Sequence, residues 1–262
     1  MHDENTSRRR FLAGCAMVGA SSLITGIAPV RAADATYAIA PPPVTSMAIM
    51  GSDARFPVRR VFCLGRNYRE HAFESGDDPD VNPPFFFIKP RDAIVDASAG
   101  HPYPQVTQAL RYEGEMVVAL KSGGNYISTD DALNHIFAYG VGLDMTRQDL
   151  QQEAQRLQRP WAISKSFDNS APCGPLYTVD DYGHHLEGRI WLSVNDEIKQ
   201  DSDLALMRWS VQESINILST YYELKAGDII MTGTPEGVDL VNRGDVIRCG
   251  VEGLGQIEVL IT

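Results

Sequence analysis

Cysteine is scarce in this chain of 262 residues: four in all, with no Cys-x-x-Cys pair. That excludes a disulfide framework and a thiolate zinc site; the count allows one disulfide and favours no pair. Basic residues are outnumbered, 23 Lys and Arg against 34 Asp and Glu, for a formal charge of −11. A surface of that sign repels phosphate backbones and acidic headgroups, which excludes nucleic acid as a partner. An anionic substrate would therefore have to find local positive charge, from Arg, Lys or a metal. With 15 Pro and 22 Gly the chain has too little of either for low complexity. Long hydrophobic runs are also missing. The nearest candidate, residues 11–28, is diluted by Gly14, Gly19, Ser21, Ser22 and Gly26, so stable membrane insertion is not expected. At 44% hydrophobic and 22% charged, the composition is that of one globular domain with a short extension.

The extension lies at the N-terminus. Ser7-Arg8-Arg9-Arg10-Phe11-Leu12 precedes the weak apolar run, and Ala32 and Ala35 offer small-residue exits after it. The segment resembles a twin-arginine export signal. Residues 1–32 are thus expected to be a signal peptide, with the twin-arginine machinery as a partner and the periplasm or the exterior as destination. Leu12-Ala13-Gly14-Cys15 spells a lipoprotein box, but the apolar run follows the cysteine instead of preceding it. Loss of residues 1–32 removes four arginines and two carboxylates. It leaves a charge of −13 and three cysteines: Cys63, Cys173 and Cys249.

Residues 33–57 contain Pro41-Pro42-Pro43 and Gly51-Ser52-Asp53 and read as an extended lead-in. From residue 58 short apolar strands alternate with turn residues. Strands are expected over 58–64, 85–89, 112–120, 190–194, 228–232, 245–249 and 256–261. Helices are fewer. Thr146-x-x-Asp149 predicts a polar helix running to about Gln158, and Ser210-x-x-Glu213 is a capping box followed by Val211, Ile215, Leu218 and Tyr222 at helical spacing. The order predicts one α+β domain over 58–262, dominated by mixed or antiparallel sheet.

Four groups of residues could carry chemistry. In Glu113-Gly114-Glu115 strand alternation puts both carboxylates on one face, where they repel unless a cation lies between them. Asp144 closes the apolar segment 138–143 and could join them; three hard oxygen donors suit Mg²⁺, Mn²⁺ or Ca²⁺ better than zinc. Taken alone, a Glu-x-Glu is usually a solvated strand face. His71 and Glu74, at i and i+3 of a short helix after Gly65, could form a carboxylate-oriented general base, or an incidental surface pair. Lys165 sits in a mostly apolar stretch and either snorkels to solvent or faces an anion. The loop Thr232-Gly233-Thr234-Pro235 exposes backbone donors, but it lacks the Lys-Ser/Thr of a phosphate loop.

These pieces, in this order, resemble the fumarylacetoacetate hydrolase family. Gly65-Arg66-Asn67-Tyr68, the Glu-x-Glu strand, Leu143-Asp144-Met145-Thr146 with Asp149-x-Gln151, Lys165-Ser166-Phe167-Asp168 and Thr232-Gly233-Thr234-Pro235 carry the likeness, over about residues 57–262. A finer likeness, to its fumarylpyruvate and acylpyruvate hydrolases, rests on Asp78-Pro79-Asp80, residues 82–87 and Arg159-Pro160-Trp161. The resemblance implies a mixed β-roll or sandwich with few helices and a homodimer. It implies a divalent metal, commonly Mg²⁺, on Glu113, Glu115 and Asp144. It also implies His71 and Glu74 as the water-activating pair, Lys165 as a catalytic cation, and Arg66, Tyr68, Gln151 and Thr234 as substrate-facing positions. Two departures are Gln148, where many relatives have Arg, and Arg111, where many have His.

The implied substrate is a small anionic keto acid, an acylpyruvate cleaved to pyruvate and a carboxylic acid. Oxaloacetate decarboxylation and enol–keto isomerisation are rival reactions on the same fold. A metal- or dicarboxylate-binding protein without turnover is the remaining alternative. The His71–Glu74 pair favours hydrolysis, because the rivals need no activated water.

Overall fold

Every residue from Gly114 to Leu120 is buried, and the reason lies in what packs on each side of that strand. In the computed structural model, which describes residues 36–74, 76 and 82–262, it occupies the middle of a mixed sheet. The sheet runs Phe85–Lys89, Arg60–Gly65, Asp228–Met231, Gly114–Leu120, Ile136–Leu143, Ala171–Cys173, Ile94–Asp96, and Tyr177–Thr178 adds to the edge of Ile136–Leu143. Two pairings are parallel, Arg60–Gly65 with Asp228–Met231 and Ala171–Cys173 with Ile94–Asp96; the others are antiparallel. Met116, Val118 and Leu120 point to one core and Val117 and Ala119 to another. A strand with cores on both faces reads as a continuous apolar run instead of an alternating one.

The first core is closed by an antiparallel sheet of four strands, in the order Glu197–Asp203, Arg189–Val194, Val246–Val251, Gln256–Leu260. Its Ile190, Leu192, Ile247 and Val259 meet the central strand's partners. The second core holds Val61, Cys63, Ile229 and Met231. It is also filled by Met47 and Phe56 from a hairpin, Ser46–Ile49 with Ser52–Pro57, inside the segment read as a lead-in. Cys63, Cys173 and Cys249 are buried free thiols.

The sheet-dominated α+β fold is the one expected, with six α-helices among the described residues. The capping box forms: Ser210 Oγ accepts from Glu213 N at 3.2 Å and Glu213 Oε2 accepts from Ser210 N at 2.9 Å, opening the helix Val211–Tyr221. The other helix starts later than its sequence suggests, at Gln148, and ends at Arg156. Thr146–Arg147 instead pairs as a strand with Leu110–Arg111. Asp149 is drawn away from a capping role by Thr107 Oγ1 and Gln108 N, at 2.5 and 3.0 Å. Among the described residues no helix is long and apolar enough to cross a membrane. The expected signal peptide and the Asp78-Pro79-Asp80 motif lie outside the described residues.

Candidate active site

Glu113 immediately precedes the central strand and Glu115 is its second residue, so both side chains leave the same face. The neighbouring strand Ile136–Leu143 pairs Leu143 with Gly114. That register delivers Asp144 beside Glu113, where its N–H donates to the Glu113 carbonyl at 2.9 Å. One oxygen from each of the three carboxylates lies within 4.8 Å of the others, and all three residues are buried. Gly114 is required between the glutamates. A Cβ there would stand 2.8 Å from the Cys249 sulfur and 3.1 Å from Leu192, on the four-stranded sheet.

Buried like charges at this spacing repel, and the chain supplies cations of its own. Lys165 Nζ lies 2.8 Å from Glu113 Oε1 and donates to Asp144 Oδ2 at 2.9 Å. Arg111 Nη2 donates to Glu113 Oε1 at 2.6 Å and reaches Gln151 Oε1 at 3.4 Å. Lys89 Nζ stands 2.7 Å from Asp144 Oδ1, off the line of a hydrogen bond. Burial alone would raise the Glu113 carboxyl; Lys165, then Arg111, hold it well below the usual range. Glu115 differs. Its one described donor is Gly233 N, at 2.9 Å to Oε2. Burial, then repulsion from Asp144 and Glu113, raises it well above the usual range. Gly233 serves this contact with φ of +90°, and a Cβ on it would meet Asn67 Cβ at 2.7 Å.

These donors fit a divalent ion. Thr146 Oγ1 at 2.9 Å joins Arg111 and Lys165 on Glu113 Oε1, so three donors crowd one oxygen and the described hydrogen bonds leave Oε2 clear. Glu115 is a carboxylate without a salt bridge among the described residues, the state a cation relieves. Hard oxygens alone make up the set, which suits Mg²⁺, Mn²⁺ or Ca²⁺.

The carboxylates open into a cavity of about 380 Å³, whose lining includes Glu113, Glu115 and Lys165. Arg66, His71, Glu74, Gln151 and Thr234 line it as well, so the structure gathers most of the expected site residues. Thr234 Oγ1 accepts from Gln200 Nε2 at 2.8 Å, which leaves its own hydrogen to donate. His71 is buried on the helix Arg69–Glu74. Its Nδ1 is 3.7 Å from Glu74 Oε2 and has no hydrogen-bond partner, while Glu74 accepts instead from Gly237 N at 3.3 Å. Burial pushes the His71 ring down to about 4, against the pull of Glu113 and with the push of Arg111 and Lys165. The ring is neutral near pH 7.

Tyr68 departs from its expected place. It is 1% exposed, outside the cavity lining, with its hydroxyl unpartnered, and it packs in the first core. The turn before it explains why. Asn67 is fully engaged, donating to Thr232 O at 2.8 Å and Trp209 O at 3.0 Å and accepting from Trp209 N at 2.8 Å. That anchor ties the Gly65 turn to the Gly233 loop and carries Tyr68 inward, away from the cavity.

Lys89 is the participant that sequence reasoning passed over. Phe85, Phe87 and Lys89 share one strand face, and Phe87 lines the cavity, so strand alternation held the signal. Arg111, a departure from the family pattern in sequence, precedes Glu113 by two residues, the spacing at which side chains of an extended chain share a face.

Residues 60–262 match the family model described as fumarylacetoacetate (FAA) hydrolase C-terminal. A fumarylpyruvate hydrolase from Ralstonia sp is 40% identical over 185 residues, 70% of this chain and 95% of that one. A mitochondrial oxaloacetate tautomerase from Caenorhabditis elegans is 34% identical over 194 residues, 73% of this chain and 89% of that one. Among solved structures, the fumarylpyruvate hydrolase from Pseudomonas aeruginosa in complex with Mn²⁺ and pyruvate superposes with a TM-score of 0.85. Its sequence is 46% identical, covering 87% of this chain and 99% of that one. The register that joins Asp144 to the Glu-x-Glu strand and the match over residues 60–262 agree, and the chain belongs to the fumarylacetoacetate hydrolase family.

Proposed function

We propose that this protein is a metal-dependent hydrolase that cleaves a C–C bond in a small acylpyruvate, a 2,4-diketo acid such as fumarylpyruvate, to pyruvate and a carboxylic acid. The observation that carries the reading is one cavity lined by two of three clustered buried carboxylates, an ammonium and a neutral buried histidine. The likeness to fumarylpyruvate hydrolases supports it.

Held by Glu113, Glu115 and Asp144, a divalent ion, Mg²⁺ in our reading, supplies Lewis-acid polarisation of the 2-oxo acid and offsets enolate charge. Lys165 adds a fixed positive charge beside the same carboxylates. Thr234 and Gln151 offer a hydroxyl and an amide to substrate oxygens, and Arg66 a guanidinium. His71 takes a proton from water as that water adds to the distal carbonyl. The C–C bond then breaks and its electron pair leaves with the pyruvate half, which the proton on His71 is placed to neutralise. Glu74 orients and polarises the ring once its carboxylate turns from Gly237 N and closes the present 3.7 Å gap.

The same proposal includes a homodimer and a twin-arginine signal over residues 1–32 that delivers the chain to the periplasm. Residues 33–57 would then precede the catalytic domain over 58–262, with the hairpin of Ser46–Ile49 and Ser52–Pro57 packed into its second core. The arginine motif of residues 7–12 supports the export part.

The test is pyruvate release from several acylpyruvates, measured beside CO₂ release and tautomerisation of oxaloacetate, with Mg²⁺, with Mn²⁺ and with chelator. Metal-dependent acylpyruvate cleavage as the fastest reaction is expected. Faster turnover of oxaloacetate would move the protein to the rival chemistry that its tautomerase relative is named for. Binding without turnover would make it a non-catalytic binder.

A further inference from the structure

Glu113, Glu115 and Asp144 meet Lys89, Lys165 and Arg111 in one buried cluster, so fixed charges of the two signs are equal in number. Farther out on the cavity wall Arg66 and Glu74 add one of each, and His71 is neutral. With all three carboxylates ionised, as a bound cation requires, the cluster's own charges cancel, and a divalent ion takes it to two positive charges. The two lysines are walled in, at 0 and 2% exposed. Arg111 is the cation of the three whose side chain keeps the most exposure, 13%, and it lines the cavity beside Glu113. Its Nη2 holds Glu113 Oε1 at 2.6 Å, and its buried Nε has no partner.

We propose that Arg111 is a charge-matching residue: it weakens divalent-ion binding at Glu113 and strengthens binding of a dianionic 2-oxo acid once the ion is in place. The first effect follows because a guanidinium on one oxygen of a carboxylate repels a cation at the other and withdraws its electron density. The second follows because the same side chain lines the cavity and keeps part of its surface open there, beside a site left with surplus positive charge. Substrate selection for two negative charges over one is the outcome. A diketo acid carrying a second carboxylate, or ionised as its enol, matches that surplus. The inference rests on the metal-dependent reading above.

Calorimetry on the full chain tests it, with Mn²⁺ as the ion and oxalate as the dianion. Arg111→Met should bind Mn²⁺ about tenfold more tightly than wild type, and the Mn²⁺-loaded variant should bind oxalate about tenfold more weakly, each about 1.4 kcal/mol. Arg111→Lys, which keeps the charge, should return both constants toward wild type. Opposite signs from one substitution separate this role from a structural one, which would weaken both. Two weakened constants, or two unchanged ones, overturn the role of Arg111 while the metal reading stands. A wild-type chain that binds no Mn²⁺ overturns both.

Discussion

Lys89 donates through its buried ammonium to the backbone carbonyl of Lys165, so one lysine of the active site positions the other. The same ammonium reaches Ser170 Oγ at 3.0 Å, Met145 O at 3.3 Å and Asp144 Oδ1 at 2.7 Å. Lys89→Met keeps most of the side-chain volume and deletes the charge. It strips Asp144 of one of its two cations and leaves Lys165 as the other, so the cost stays below the about 3–5 kcal/mol of a fully broken buried pair. The expected result is a lower urea midpoint at unchanged m-value. A midpoint equal to wild type would remove Lys89 from the support of the site.

His101 gives the fold a defined acid response. Burial, opposed by its hydrogen bond to the Asn169 carbonyl and aided by Lys89 and Arg147, pushes its ring down to about 4. The unfolded chain binds that proton near 6.5. Its share of stability is therefore complete above pH 6.5 and is lost as the pH falls toward 4, by about 3 kcal/mol at most. His71 adds a similar slope in the same window. Denaturation midpoints between pH 4 and 7 should flatten in His101→Gln but keep part of the slope. An unaltered slope would refute the assignment.

Hydrolysis and decarboxylation should part at His71. Removing a general base costs about 10²–10⁴ in rate, and loss of CO₂ from oxaloacetate needs no activated water. His71→Ala should therefore lower acylpyruvate cleavage far more than oxaloacetate decarboxylation at saturating Mg²⁺. Glu74→Ala should do the same more mildly. An equal fall in both activities would make His71 a residue of closure and not of proton transfer.

The export signal has its own test. Changing Arg8 and Arg9 together to Lys should leave the precursor in the cytoplasm, where cell fractionation and immunoblotting would find it. Unchanged periplasmic amounts would end the signal reading.

Local patterns were legible in the sequence and distant ones were not. The capping box at Ser210 and Glu213 needs three residues, and it forms as written. Strand alternation placed Glu113 and Glu115 on one face, as found. The helix start at Thr146 failed because its competitor is remote: Leu110–Arg111 captures the backbone and Glu113 captures the hydroxyl. Tyr68 failed for a similar reason, since the turn that sends it inward is anchored from Trp209 and Thr232. Lys89 escaped notice because its burial against Asp144 arises only once the strand Phe85–Lys89 has folded beside that carboxylate.

The doubly buried strand Gly114–Leu120 also constrains how such a protein can diversify. Two cores clamp it, so a change of residue there disturbs one or the other. The cavity wall on the helix Gln148–Arg156 is under no such grip: Gln152 and Gln155 are exposed on its surface and still border the cavity. Mutational drift can thus rewrite which acyl group is accepted while the carboxylate floor stays frozen. One ancestral scaffold could in this way give rise to enzymes with shared chemistry and divergent diets.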